Sequence, residues 1–316
     1  MDGSSDILSA LCRRRALELF RFNVDRYLDY AFLWEPEGFI ITDSTGRCLR
    51  SSEVAACYWR KPFIDADASS TSAWARAQVQ YVVREMANWC MARGLLRLVE
   101  PDAERRFGKL MQMDLAQLHF SVPGWTVGWN QTWPPGVRVV KSLASQLLDD
   151  GGFLFTRAVD PSHLAAPHPW FVQDVAEGIH DATVLYIAGK VMGFRIDHPR
   201  RPDQVDWRTS INVEDTTWVR WELPGGMESA VVAFMGDAGL RFGRLDFIVG
   251  DVAPHFLEVN TNGQYGWLDN ESFTIHNAIL DAIMDRENAV MAASPPSKGL
   301  QPENKQDGLA LTNKIV

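Results

Sequence analysis

Asp246, Glu258 and Asn260 are three oxygen-bearing side chains whose spacing suits the grip of a hard cation. Leu245 to Val249 and Phe256 to Asn260 read with period two and are joined by a short turn, the pattern of paired strands. Glu258 and Asn260 are two apart, so they point to one face. Two carboxylates and an amide oxygen converging from neighbouring strands make an oxygen-only site. Such a site suits Mg²⁺ that keeps part of its water and takes its other ligands from substrate phosphates. The buried-type Phe, Ile, Val and Leu around them favour convergence over a solvated strand edge.

Bulk properties narrow the classes. The chain has 316 residues, enough for two domains or one with a large core. Apolar residues make up 46% and charged residues 22%, as in globular proteins. No apolar run is long enough to span a bilayer, and the N-terminus lacks the basic start and apolar core of a signal peptide. No membrane partner is expected. Cys12, Cys48, Cys57 and Cys90 form no metal pattern and read as reduced thiols of a cytoplasmic protein. A net charge of −9 argues against a general nucleic-acid binder.

The elements that must position the trio follow from patterning. Asp6 to Ala16 has helical spacing, and 17–23, 39–43 and 54–60 read as strands. Ser72 to Arg93 is a long helix with an apolar stripe. These residues form a small α/β domain, 1–103, which starts unusually on a helix; a strand is expected before it. A larger α+β region, 104–292, follows. It opens with a helix from Phe107 to His119 and strands at 122–127, 137–141 and 170–175, with Lys141 at the end of the second. Residues 182–187 and 191–196 read as a hairpin about Ala188, Gly189 and Lys190. A helix at 229–238, the two strands of the trio and a closing helix at 272–288 complete it. From Ala293 onward patterning stops, and 293–316 is expected to be a disordered tail. No internal repeat is present.

The order of Lys141, Gln173-Asp174-Val175, Asp181, Asp206-Trp207-Arg208, Asp246 and Glu258-Val259-Asn260 resembles the ATP-grasp ligases. It is most similar to the RimK-like branch of ribosomal-peptide maturases that make microviridins and other graspetides. Val139-Val140-Lys141-Ser142-Leu143, Asp206-Trp207-Arg208, the run from Gly239 to Phe247 and that from Phe256 to Trp267 carry the resemblance, which spans about Phe20 to Asn288. The last motif is the most specific, because Asn-Gly-Gln plus an aromatic after the metal ligands is common in this branch.

The resemblance implies an α/β (α+β) ATP-grasp fold, with a pre-ATP-grasp domain and two α+β subdomains clamping ATP. The lid subdomain would span about 121–190, with the polar stretch Arg157 to Pro169 part of its mobile cover. It implies ATP and Mg²⁺ as cofactors, with the metal on Asp246, Glu258 and Asn260. Lys109, Lys141, Arg208 and Thr209 would meet phosphates, the Gln173, Asp174 and Val175 segment the adenine, and Asp181 the ribose. Lys141, Arg195 and Arg208 would be the catalytic cations. Arg60 and Lys61, in Tyr58-Trp59-Arg60-Lys61-Pro62, match a family motif that would face acidic substrate carboxylates. The partner implied is a ribosomal precursor peptide with a leader segment; homodimers are common among the similar maturases.

The match departs from the family in three ways. Thr183 stands where most members have an arginine, two residues after the ribose Asp. Arg195 on the next strand is the expected spatial substitute. The adenine segment reads Gln-Asp-Val-Ala rather than Gln-Glu-Tyr-Ile, which a backbone contact tolerates. The first strand is missing, which leaves two expectations: a chain that begins late, or a true start upstream of Met1.

The expected activity is activation of peptide Asp or Glu side chains as acyl phosphates, then closure of side-chain esters or amides. Two alternatives stand beside it. One is a RimK-like ligase acting on a small acid or a protein terminus. The other, motivated by Thr183, is a nucleotide- or peptide-binding module with little catalysis. No Ser-His-Asp or Cys-His arrangement is legible among the seven histidines.

Overall fold

A computed structural model of the chain describes residues 3–62, 72–143, 156–165, 167–200, 216–251, 253–290 and the backbone of 314–315. The N-terminal part holds α1 (Gly3–Arg14), β1 (Glu18–Leu19), β2 (Tyr30–Glu35), β3 (Gly38–Asp43), β4 (Cys48–Arg50), β5 (Val54–Tyr58), α2 (Ala73–Ala92) and β6 (Leu96–Arg97). Then come α3 (Ala103–Arg106), α4 (Lys109–Ala116), β7 (Trp125–Gly128), β8 (Arg138–Lys141), β9 (Arg157–Val159) and β10 (Trp170–Gln173). The rest comprises β11 (His180–Ile187), β12 (Lys190–Ile196), β13 (Trp218–Arg220), α5 (Met227–Asp237), β14 (Phe242–Val249), β15 (His255–Asn260), α6 (Thr274–Met284) and β16 (Lys314–Ile315).

Among the described residues the strands form four sheets: β1-β16-β5-β6, β2-β3-β4, β7-β10-β8-β9 and β13-β12-β11-β14-β15. The mixed α+β class matches the sequence expectation. The long helix starts as read, with Ser72 accepting a hydrogen bond from the Ala75 N–H as N-cap. The hairpin also forms as read. Ala188 and Gly189 take φ of 47° and 94°, the positive values that a two-residue turn between twisted strands demands.

Two expectations change. No strand precedes α1 among the described residues, and the place between β1 and β5 is taken in parallel by Lys314–Ile315. The stretch from Ala293, expected to be without structure, thus contributes a strand. The polar stretch expected to lie in the lid cover begins with β9, paired with β8 in the four-stranded sheet. That sheet spans 125–173, and β11 joins the five-stranded sheet.

The five-stranded sheet is buried on both sides. Val184, Tyr186, Leu245 and Phe247 pack with Met113 of α4 and Val231, Phe234 and Met235 of α5. Leu185, Ile187, Phe194 and Phe242 pack with Ile275, Ile279 and Ile283 of α6 and with α1. Residues 275, 278, 279, 282 and 283 of α6 are buried, the i, i+3, i+4, i+7 stripe that makes this segment a core helix. A rigid sheet therefore carries the candidate site.

All four cysteines are free thiols. Among the described residues no helix is long and apolar enough to cross a membrane.

Candidate active site

Strand register decides which side chains meet. Thr183 stands opposite Asp246, which stands opposite Glu258, while Arg244 stands opposite Asn260. Beyond Glu258 the register shifts, so Leu257 has no partner between the Asp246–Glu258 and Phe247–Phe256 pairs. Such a bulge kinks the strand and re-aims its neighbours. Asn260 Nδ2 lies 3.0 Å from Asp246 Oδ2 and 3.4 Å from Glu258 Oε1. The three residues picked from the sequence are thus within touching distance.

This donor set fits Mg²⁺. A half-turn of the Asn260 amide presents its oxygen to the carboxylates' shared space. Among the described residues no group of three or more His, Cys, Asp or Glu gathers as a metal site. Two carboxylates plus an amide is the sparse set that Mg²⁺ completes with water and phosphate oxygens.

The opposite wall of the cleft comes from the four-stranded sheet. Lys141, Gln173, Asp174 and Val175 line it, facing Asp181, Asp246 and Glu258. Lys141 ends β8 and is only 8% exposed, so its ammonium is held close to protein and cleft rather than to bulk water. Gln173 is buried with its Nε2 3.8 Å from Met113 Sδ. The Asp174 N–H donates to Gly124 O at 2.7 Å, and its carboxylate pairs with Arg138 Nε at 2.9 Å. Lys109, the first residue of α4, donates from Nζ to the Ser142 carbonyl at 2.5 Å, one residue past Lys141.

Asp181 is buried and ion-paired with Arg200, whose Nε lies 3.2 Å from Oδ2. Arg200 had no expected role, and no motif in the sequence marks it. Arg208 and Thr209 lie outside the described residues, as does the whole Asp206-Trp207-Arg208 motif.

Arg195 is not the substitute for the arginine missing at 183. It stands opposite Ala182, and Thr183 stands opposite Phe194. With period-two alternation, that single step puts Arg195 on the other face from Thr183 and Asp246. Its Nη1 lies 3.2–3.3 Å from the ring nitrogens of His180, itself a residue of that other face. Thr183 is 1% exposed and donates its hydroxyl to Asp246 Oδ1 at 2.8 Å.

Arg60 and Lys61 line a second, larger cavity whose floor includes Leu8, Cys12, Val83 and Met86. Arg60 also ties the end of β5 to the loop after β15. Its Nη1 reaches Asn262 Oδ1 at 2.8 Å and the carbonyls of Asn262 and Gly263 at 3.1 and 3.0 Å, and its guanidinium sits 4.8 Å over the Tyr265 ring. The loop is pinned at its far end. Asp269 accepts from the backbone of Ile275 and His276 and lies 2.5 Å from His276 Nδ1. Burial alone would raise the Asp269 carboxyl. The hydrogen bonds from Ile275, His276 and Asn270 outweigh it and hold the group below its ordinary value.

Gly263 explains the Asn-Gly-Gln signature. A Cβ there would stand 2.9 Å from Arg244 Cβ and 3.1 Å from Asn260 Cβ. Only glycine lets the loop close so tightly on those two strands. Arg244 lies within the Gly239 to Phe247 run, and the resemblance implies no role for it. It sits two residues before Asp246, so the alternation that grouped Glu258 with Asn260 also puts it on the ligand face.

No family model matches the chain, and no curated protein matches it. Solved structures do. A RiPP-associated ATP-grasp ligase from Chryseobacterium gregarium, in complex with ADP and a leader and core peptide, superposes with a TM-score of 0.76 at 20% identity, over 93% of this chain and 97% of that one. The macrocyclase MdnC of Microcystis aeruginosa, bound with precursor peptide MdnA, gives 0.70 at 20% identity, over 90% and 96%. The ATP-grasp ligase PsnB, complexed with a minimal precursor, gives 0.67 at 18% identity, over 89% and 94%. The fold of this chain is that of the ATP-grasp ligases, the family that its motifs resemble.

Proposed function

We propose that this protein is an ATP- and Mg²⁺-dependent ligase that closes side-chain esters or amides in a ribosomally made precursor peptide. The observation that carries the reading is the convergence of Asp246, Glu258 and Asn260 on one wall of a cleft whose other wall presents Lys141 and the Gln173–Val175 segment. Likeness in fold to ligases solved with nucleotide, magnesium and precursor peptide supports it.

The chemistry follows from charge. A carboxylate is a poor acyl donor because its oxygen is a poor leaving group. Attack of a peptide carboxylate oxygen on the γ-phosphorus of ATP forms one P–O bond and breaks the bond to ADP, which leaves with the electron pair. Mg²⁺ on the two carboxylates would neutralise the charge that gathers on the phosphate oxygens. Lys141 would add a cation from the opposite wall, and Lys109, one residue from it through Ser142, would stand behind. The Asp174 carbonyl and Val175 N–H would hold the adenine edge, and Asp181 the ribose hydroxyls. A peptide hydroxyl or amine then attacks the acyl carbon, inorganic phosphate leaves, and the nucleophile loses its proton.

The peptide would lie in the larger cavity, with Arg60 and Lys61 toward its acidic residues. Arg60 bonds Asn262 and Gly263, directly after Asn260, so this cavity abuts the metal ligands. Water must be kept from the acyl phosphate, and the wall from 125 to 173 is the element that would close. The test is incubation of the protein with ATP, Mg²⁺ and candidate acidic peptides from the open reading frames beside its gene, read by mass spectrometry. Successive losses of one water, dependent on ATP, are expected. An unchanged peptide mass in the presence of bound ATP would overturn the reading.

A further inference from the structure

Arg244 stands inside the acidic trio. Its Nη2 lies 3.0 Å from Asp246 Oδ2, the same oxygen that Asn260 Nδ2 approaches at 3.0 Å. Its Nη1 donates to the Gln264 carbonyl at 3.3 Å, and the guanidinium lies 5.1 Å over the Trp267 ring. The side chain is only 13% exposed, and its buried Nε has no hydrogen-bond partner. The group also lines the nucleotide cleft. An arginine held by a flat ring and one carbonyl, with a donor left over, can turn in place without losing its packing.

The geometry points to Arg244 as a catalytic cation that trades one anion for another. Before metal binds, it neutralises Asp246 and keeps two adjacent carboxylates from repelling each other. A divalent cation on Asp246 Oδ2 would repel the guanidinium across a few ångströms, while a phosphate bridged by that cation would attract it. Arg244 then turns from Asp246 to the transferring phosphoryl group and keeps its place over Trp267. Thr183 continues to hold Asp246 by its other oxygen. The exchange makes the cation at the reacting phosphate depend on metal occupancy, so that nucleotide without metal meets an arginine engaged elsewhere.

This inference rests on the ligase reading, and the experiment keeps the two apart. Mn²⁺ binding to the wild type, Arg244→Gln and Arg244→Lys is titrated by electron paramagnetic resonance, and peptide-dependent ADP release is measured on the same samples. Removing the arginine leaves the trio more negative, so Arg244→Gln should tighten Mn²⁺ by about tenfold. The same variant should lose about 100-fold in kcat. Arg244→Lys should bind Mn²⁺ like the wild type and recover only part of the turnover, since an ammonium lacks the planar fork. Opposite signs in binding and turnover are the mark of the exchange. Weaker Mn²⁺ binding in Arg244→Gln, or a kcat within about twofold of wild type, would overturn it. If Arg244→Gln does not fold, the Lys variant decides: full wild-type turnover there would also overturn it. A wild type that binds Mn²⁺ and ATP but never releases ADP with peptide would sink the ligase reading, and with it the catalytic role of Arg244.

Discussion

Thr183 on β11 donates its hydroxyl to Asp246 on β14 at 2.8 Å, and to the Leu245 carbonyl at 3.2 Å, from a position that is 1% exposed. Thr183, where the sequence resemblance implies an arginine, is therefore bonded directly to an expected metal ligand. Thr183→Val should lower stability by about 1 kcal/mol, since a buried acceptor loses its donor. It should also weaken Mg²⁺ by freeing Asp246 to move. Thr183→Arg should destabilise by about 1–3 kcal/mol through overpacking and bring no gain in turnover. Urea denaturation and ADP release check both; a faster Thr183→Arg enzyme would show that the site lacks a cation that Arg244 does not supply.

Asp246→Asn and Glu258→Gln keep side-chain shape and remove charge. Each should stay within about 1 kcal/mol of wild-type stability, because the amide oxygens can still accept hydrogen bonds. Each should cut peptide-dependent ADP formation by at least about 100-fold at saturating Mg²⁺. Retention of turnover in both variants would remove the metal from this trio.

Gly263→Ala probes the closeness of loop and strands. The added methyl would meet Arg244 Cβ at 2.9 Å and Asn260 Cβ at 3.1 Å, neither of which is a yielding side-chain end. The loop must back away, at a cost of about 1–3 kcal/mol. Turnover should fall more than ADP affinity does, because on the proposed reading the base and ribose would be held by other strands. Differential scanning fluorimetry and ADP titration separate the two effects.

Asp269 gives a pH signature. Its carboxyl is held below the ordinary value by hydrogen bonds that outweigh burial. The charged form is therefore favoured by folding. That stabilisation is fully present above the unfolded value and is lost as pH falls through the lower folded value. Asp269→Asn should be less stable than wild type at pH 7 by about 1–3 kcal/mol, since a buried acceptor set is weakened. The difference should shrink as pH drops below the ordinary carboxyl value of 3.8. Parallel urea midpoints at neutral and acid pH measure it; a constant gap would assign the role of Asp269 to shape alone.

Arg60 holds the loop from Asn262 to Tyr265 and lines the larger cavity. Arg60→Ala should raise the KM for an acidic peptide by about tenfold or more, the worth of one charge-assisted hydrogen bond. The affinity for ADP should be unchanged. An equal loss in both would make Arg60 a loop brace without a share in peptide binding.

Much of the site was legible in the chain because alternation is local. The polar positions of 245–249 and 256–260, read with period two, were enough to group Asp246, Glu258 and Asn260, and the same rule would have included Arg244. Lys141 at a strand end was equally readable, since 137–141 carries its own apolar pattern. Arg195 shows where this stops. Its strand was found correctly, yet its partner is Ala182, one residue from the one expected. One residue of register inverts the face, and no local pattern states the register.

By itself the sequence determined the longer helices and the strands around the candidate site, though not β2, β4, β6, β9 or β13, together with the polar face of β14 and β15 and the chemistry that oxygen donors beside a lysine can do. These follow from side-chain type and spacing within a few residues. Only the tertiary structure decided that Thr183 meets Asp246, that Asp181 faces Arg200, that Asp269 and His276 lock the loop, and that Lys314–Ile315 completes the first sheet. All but the Asp269–His276 pair, which lies within seven residues, join parts that the chain holds far apart. Their pairing is set by the packing of whole sheets and helices against one another, where burial on both faces leaves a single register that keeps the polar side chains together.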